Sequence, residues 1–110
     1  MEKQAAIDAF GALAQETRLD IFRLLVEAGP TGLAAGEIGE ALGVPAATLS
    51  FHLKELRTAS MVASRKDGRS LIYAADFMAV DGLIAFLMRN CCQRSARPAQ
   101  PSQPIGAQQQ

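Results

Sequence analysis

The sequence carries little of what chemistry is usually done with. Among 110 residues there are one histidine and two cysteines. No glycine-rich phosphate loop and no cluster of metal-ligating side chains accompanies them, so an enzyme is not expected. Two cysteines do not make a disulfide framework, and a cytoplasmic protein with reduced thiols is the default. No apolar run approaches the roughly 20 residues of a membrane span. The N-terminal stretch MEKQAAIDAF is amphipathic and carries acids, unlike a secretory signal. Formal net charge is zero, so bulk composition does not by itself call for a nucleic acid.

What is present is enough for one folded domain. Hydrophobic residues make up 49% of the chain, and the length allows one domain and not two. The stretch QRSARPAQPSQPIGAQQQ, residues 93–110, is Gln- and Pro-rich without apolar periodicity. It cannot offset the entropy of its own ordering and is expected to be a disordered tail. Residues 1–92 are then the folding unit. Charge is unevenly spread within it. Residues 1–44 hold three basic and seven acidic side chains, whereas 45–70 hold five basic ones (Lys54, Arg57, Arg65, Lys66, Arg69) against Glu55 and Asp67. A basic segment in a neutral chain points to a polyanion partner, although a solvated surface face gives the same pattern.

Periodicity divides the unit into helices and a hairpin. Ile7, Phe10 and Leu13 recur at helical spacing. A second helix runs through QETRLDIFRLLVEAG, beginning near Gln15 or Thr17. Its stripe is Leu19, Phe22 and Val26, widened by Ile21, Leu24 and Leu25, and Gly29-Pro30 ends it. TGLA reads as a connector. Ile38 and Leu42 mark a short helix that Gly43 closes in a left-handed turn. Pro45 suits the first position of the next helix, which buries Leu49, Leu53 and Leu56. Two helices joined by such a turn make a helix-turn-helix. The period then changes to two on either side of Asp67-Gly68, the signature of a tight hairpin. Centring the turn there pairs Val62 with Tyr73 and Ala63 with Ile72, and gathers Arg65, Lys66 and Arg69 at a basic tip. Finally, Val80, Leu83, Ile84, Phe86, Leu87 and Met88 spread around most of a last helix. A helix that is apolar nearly all round needs cover on more than one side. The domain is too small to supply that cover, so this helix, together with the first, is expected to pack against a second copy in a twofold dimer.

These segments resemble a known family. LAQETRLDIFRLL, EIGEALGVPAATLSFHLKELRTASMV and RKDGRSLIYAA together are similar to the ArsR/SmtB family of bacterial winged-helix metal-sensing repressors, over about residues 12–92. The resemblance implies an α+β, mainly α fold: a winged helix-turn-helix with a two-stranded β wing and N- and C-terminal dimerisation helices. It also implies a homodimer that binds a palindromic double-stranded DNA operator and releases it when an effector binds. The chain departs from the family pattern at three places. Pro45-Ala46 stands where Ser-Gln often opens the recognition helix, Phe51-His52 where two histidines are frequent, and Ser60 where glycine is usual.

The second helix of such a motif enters the major groove. With Leu49, Leu53 and Leu56 inward, Ala47, Phe51, Lys54 and Thr58 point outward, flanked by Thr48 and Ser50. Thr48 and Ser50 can donate to bases or phosphates, and Lys54 suits a phosphate. Phe51 can meet a thymine methyl or pack on the wing. His52, beside the apolar stripe, is either a partly buried structural residue or a DNA contact. Arg65, Lys66 and Arg69 would follow the backbone or the minor groove, unless the hairpin is an ordinary charged one.

Cys91 and Cys92 are adjacent, where the last helix runs out. The helix before the turn (GEIGEAL) has no Cys-x-Cys and the last helix has no histidine, so the other sensor sites of the family have no ligands here. Thiolates choose soft ions, and two of them cannot complete a four-sulfur zinc site. Side chains adjacent in a helix diverge by about 100°, but a locally unwound turn would aim both sulfurs at one atom. Trivalent arsenic or antimony, inorganic or methylated, fits as an effector with no permanent cofactor. Its third bond would go to carbon, hydroxide, a small thiol or the partner chain. Family members with paired cysteines at this end resemble arsenite sensors. Two other readings remain: oxidation of the same pair by peroxide or persulfide, and a protein–protein module without a DNA role.

Overall fold

The computed structural model describes residues 1–99 of the chain. Helix α1 spans Lys3–Leu13 and α2 spans Glu16–Ala28; a two-residue strand β1, Leu33–Ala34, leads into α3, Ala35–Leu42. Helix α4 is Ala46–Thr58, strands β2 and β3 are Val62–Asp67 and Ser70–Ala75, and α5 is Phe77–Met88. The three strands form one antiparallel sheet in the order β1-β3-β2. A mainly helical winged helix-turn-helix results, as the sequence implies. Residues 93–99 form no helix or strand and are exposed; the remainder of the expected tail lies outside the described residues.

Local chemistry sets the boundaries. The Gln15 side chain accepts from the Arg18 N–H at 2.8 Å and caps α2. At the other end Gly29 takes φ +79° and its N–H meets the Leu25 and Val26 carbonyls. Gly43 ends α3 in the left-handed conformation, φ +68°, and the Val44 N–H closes the turn on the Gly39 carbonyl at 3.0 Å. Pro45 is not the first helical residue of α4 but its extended N-cap, φ −61° and ψ 150°, its carbonyl receiving the Leu49 N–H at 2.9 Å. A Cβ on Gly39 would lie 3.1 Å from the Val44 carbonyl. The glycine therefore keeps the reading motif tight.

Three further sequence-based expectations need correction. TGLA is not only a connector, since its Leu33 and Ala34 pair with Tyr73 and Ile72 of β3. Gly32 permits this approach: at φ +73°, a Cβ there would overlap the Tyr73 carbonyl. The wing is also offset from its expected register by two residues. Val62 pairs with Ala75, Ala63 with Ala74 and Asp67 with Ser70, so Gly68 and Arg69 are the central turn residues. Only Gly68 has a positive φ, +64°, as a turn with glycine at its first central position requires. An even shift leaves every side chain on its expected face, and Val62 and Tyr73 still point into the core.

The third correction concerns the stripe of α2, while the terminal helices leave large apolar side chains uncovered. α1 turns Ala6, Ala9 and Ala12 inward and leaves Ile7 and Phe10 exposed. In α2 the buried residues are Ile21, Phe22 and Leu25, while Leu19 and Val26 lie at the outer edge. Small alanines let α1 sit close to the core built on Ile21, Leu25, Ile38, Leu53, Leu56 and Met61. In α5 only Leu83 is fully buried; Met78, Ile84, Leu87 and Met88 are exposed. The two terminal helices thus keep uncovered apolar side chains, where a partner copy was expected.

Candidate DNA-reading face and cysteine turn

Helix α4 presents Ala46, Ala47, Thr48, Ser50, Phe51, Lys54, Arg57 and Thr58 to solvent, with Leu49, Leu53 and Leu56 inward. Lys54 therefore points outward, and the hydroxyls of Thr48 and Ser50 flank that exposed face at its two edges. Phe51 is 56% exposed; the wing does not cover it.

His52 belongs elsewhere. It is 8% exposed, three residues after Leu49 and four before Leu56, on the same helical stripe. Its ring meets Phe51 edge-on at 5.5 Å, and its Nδ1 lies 3.4 Å from Arg18 Nη1. The structure therefore places this candidate DNA contact in the interior, where it is held by a neighbouring helix.

The wing offers Lys66 and Arg69 at its exposed tip. Arg65 is also exposed, but its guanidinium donates to the Thr31 carbonyl at 2.8 Å. That bond ties the hairpin to the segment before β1 and directs the remaining donors of Arg65.

Past Met88 the helix gives way. Arg89 is extended (ψ 134°), and Asn90 and Cys92 both adopt left-handed φ, +61° and +67°. The Cys91 N–H returns to the Met88 carbonyl at 2.9 Å. In this turn the sulfurs of Cys91 and Cys92 are in contact, as a bridged pair. The unwound turn brings the two sulfurs together, as a regular helix would not. Among the described residues no group of three or more His, Cys, Asp or Glu side chains gathers as a metal site. Beside the turn, Arg89 donates to the Met1 carbonyl at 3.0 Å and lies over the Phe86 ring at 4.8 Å. The effector candidate and the start of α1 are thereby joined.

Arg18 was not singled out from the sequence. The available signal was its position on the Phe22–Leu25 face of α2, where an inward cation must find partners. It finds the Ala12 carbonyl, at 2.7 Å from Nε, and His52.

A two-helix reading motif, a basic hairpin after it and flanking helices with uncovered apolar faces define a winged-helix transcriptional regulator. A helix-turn-helix domain family model matches residues 13–65. The transcriptional activator HlyU of Vibrio cholerae is 33% identical over 95 residues, covering 84% of this chain and 85% of HlyU. An ArsR-like transcriptional regulator from Rhodococcus sp. RHA1 superposes with a TM-score of 0.71 at 28% identity, over 78% of each chain. The structure of a possible transcriptional regulator for arsenical resistance gives 0.63 at 26% identity, over 73% of this chain and 80% of that one. The chain belongs to the ArsR family of helix-turn-helix transcriptional regulators. No helix among the described residues is long and apolar enough to cross a membrane.

Proposed function

We propose that the chain is a repressor: a homodimer that grips a palindromic operator through α4 and the β2–β3 wing and releases it when trivalent arsenic or antimony binds Cys91 and Cys92. The observation that carries the effector is the turn after α5, where two left-handed residues bring two soft ligands to one point. On binding, each As–S or Sb–S bond replaces a bond to hydroxide; the hydroxide takes the thiol proton and leaves as water. The third valence remains for hydroxide, carbon, a small thiol or the partner copy. Thr48 and Ser50 contact the major groove, Lys54 meets a phosphate, and Arg65, Lys66 and Arg69 follow the backbone or the minor groove. The likeness to a possible arsenical-resistance regulator supports the same reading. Release requires the metalloid to favour the DNA-incompetent form by about 1–3 kcal/mol, a factor of roughly 5–150.

The test is an anisotropy titration on a duplex selected by the wild-type protein from a random library. Arsenite releases the reduced wild type, whereas Cys91→Ser and Cys92→Ser each stay bound. Normal release of either variant would remove that cysteine from the ligand set. Adjacent cysteines in an unwound turn also suit a second reading, in which peroxide takes two electrons from the thiols, forms a disulfide and leaves as water. Release by peroxide that a dithiol reverses, with no response to arsenite, selects that reading.

A further inference from the structure

Two parts of the molecule must keep a fixed separation if a dimer is to read two half-sites. One is α1, which carries the uncovered Ile7 and Phe10. The other is α4, which carries the reading face. Packing between them is incomplete: a cleft of about 440 Å³ opens on this side, lined in part by Ile7, Gly11, Arg18, Glu55 and Thr58. Arg18 of α2 reaches from this cleft to both helices. Arg18 Nε donates to the Ala12 carbonyl at 2.7 Å, and Nη1 lies 3.4 Å from His52 Nδ1.

Each end of this strap has a chemical reason. The Ala12 carbonyl belongs to the last turn of α1, where carbonyls have no partner within the helix and the helix dipole favours a cation. A guanidinium only donates, and the ring atom of His52 that faces it is Nδ1. His52 is buried in the middle of α4 and cannot follow Arg18 by swinging into solvent. The planar fork therefore joins two rigid elements at two points, as a flexible ammonium would not.

We propose that Arg18 is a positioning residue that sets the distance from the dimer axis to the reading helix, and so the half-site spacing the dimer accepts. The proposal rests on the dimeric, DNA-reading part of the function above and is independent of the effector. Inserting one base pair between half-sites moves them about 3.4 Å apart along the duplex and rotates one relative to the other. A rigid strap makes that insertion costly; a loosened one absorbs it.

The experiment uses the full chain and the duplex selected by wild type, with versions carrying one or two extra central base pairs and a duplex with a single half-site. Wild type is expected to lose at least about tenfold in affinity on insertion, equivalent to about 1.4 kcal/mol. Arg18→Met and Arg18→Lys should reduce that penalty to about threefold or less, with half-site affinity, helix content and dimer dissociation constant unchanged. His52→Ala should behave alike, and the Arg18→Met/His52→Ala double variant should add nothing further, because both remove one link. A wild-type spacing penalty in Arg18→Met, or additive effects in the double variant, overturns the proposal. So does an equal loss on half-site and full duplexes, which marks Arg18 as merely structural. If wild type selects no duplex with two half-sites, the DNA-reading function itself fails, and the positioning role with it.

Discussion

Replacing Ile84 by alanine tests whether the uncovered face of α5 is a dimer surface. In the protomer Ile84 is 55% exposed. The substitution removes three carbons, each worth about 0.8 kcal/mol when fully buried. With about half of that surface newly buried on association, the loss is about 1.3 kcal/mol per protomer. A twofold interface counts it twice, giving about 2.6 kcal/mol, or roughly 80-fold in the dimer dissociation constant. The fold of the protomer should be spared, since alanine favours helix over isoleucine by a few tenths of a kcal/mol. Sedimentation equilibrium over a concentration series measures the constant, and circular dichroism checks the helix content. A dissociation constant within about threefold of wild type would refute the reasoning and leave this part of α5 facing water.

Two further outcomes follow from the sheet. Gly32→Ala forces a Cβ onto the Tyr73 carbonyl at a positive φ and should cost about 1–3 kcal/mol, lowering the melting temperature by roughly 4–8 °C for each kcal/mol; an unchanged melting curve would mean that the β1–β3 pairing is dispensable. Arg69→Ala removes a wing-tip charge that is exposed and outside the core. Its affinity for selected and unrelated duplexes should fall alike and the log–log salt slope should drop by about one, whereas an unchanged slope would place the wing off the phosphates.

Much of this fold is written locally. Gly29-Pro30, Gly43 and Pro45 announce helix ends by backbone chemistry alone, and the i, i+4, i+7 run of Leu49, Leu53 and Leu56 identifies the inner face of α4. Where the sequence misleads, the missing information is tertiary. The spacing of Ile7, Phe10 and Leu13 identifies α1 as a helix, but does not reveal that Ala6, Ala9 and Ala12 form its core face. The protomer needs a close approach there, and the large side chains remain for another surface. Strand β1 has two residues and no periodicity; it exists because Tyr73 and Ile72 pair with it. Asp67-Gly68 marks a turn, but only the pairing of Asp67 with Ser70 fixes which residues are central. Arg18 and His52 lie 34 residues apart, and nothing in either neighbourhood names the other.

If the cysteine turn is the effector site proposed above, a small ligand-driven change can suffice. Arg89 holds the turn to the rest of the protomer through the Met1 carbonyl and the Phe86 ring. These contacts are exposed. The cation–π contact is worth about 0.5–1 kcal/mol at such a site, and the hydrogen bond, open to water, is of similar size at about 1 kcal/mol. Present once in each protomer, they amount to a few kcal/mol in a twofold dimer. That is the range an effector needs to shift a DNA-binding equilibrium. On that proposal, a ligand that reshapes Asn90–Cys92 would act first on Arg89 and then on the start of α1, whose far end is held by Arg18. The interior core on Ile21, Leu25 and Leu53 need not rearrange. The switch is therefore expected to change operator affinity without repacking the interior, because its energy resides in weak contacts between elements rather than in the packing within them.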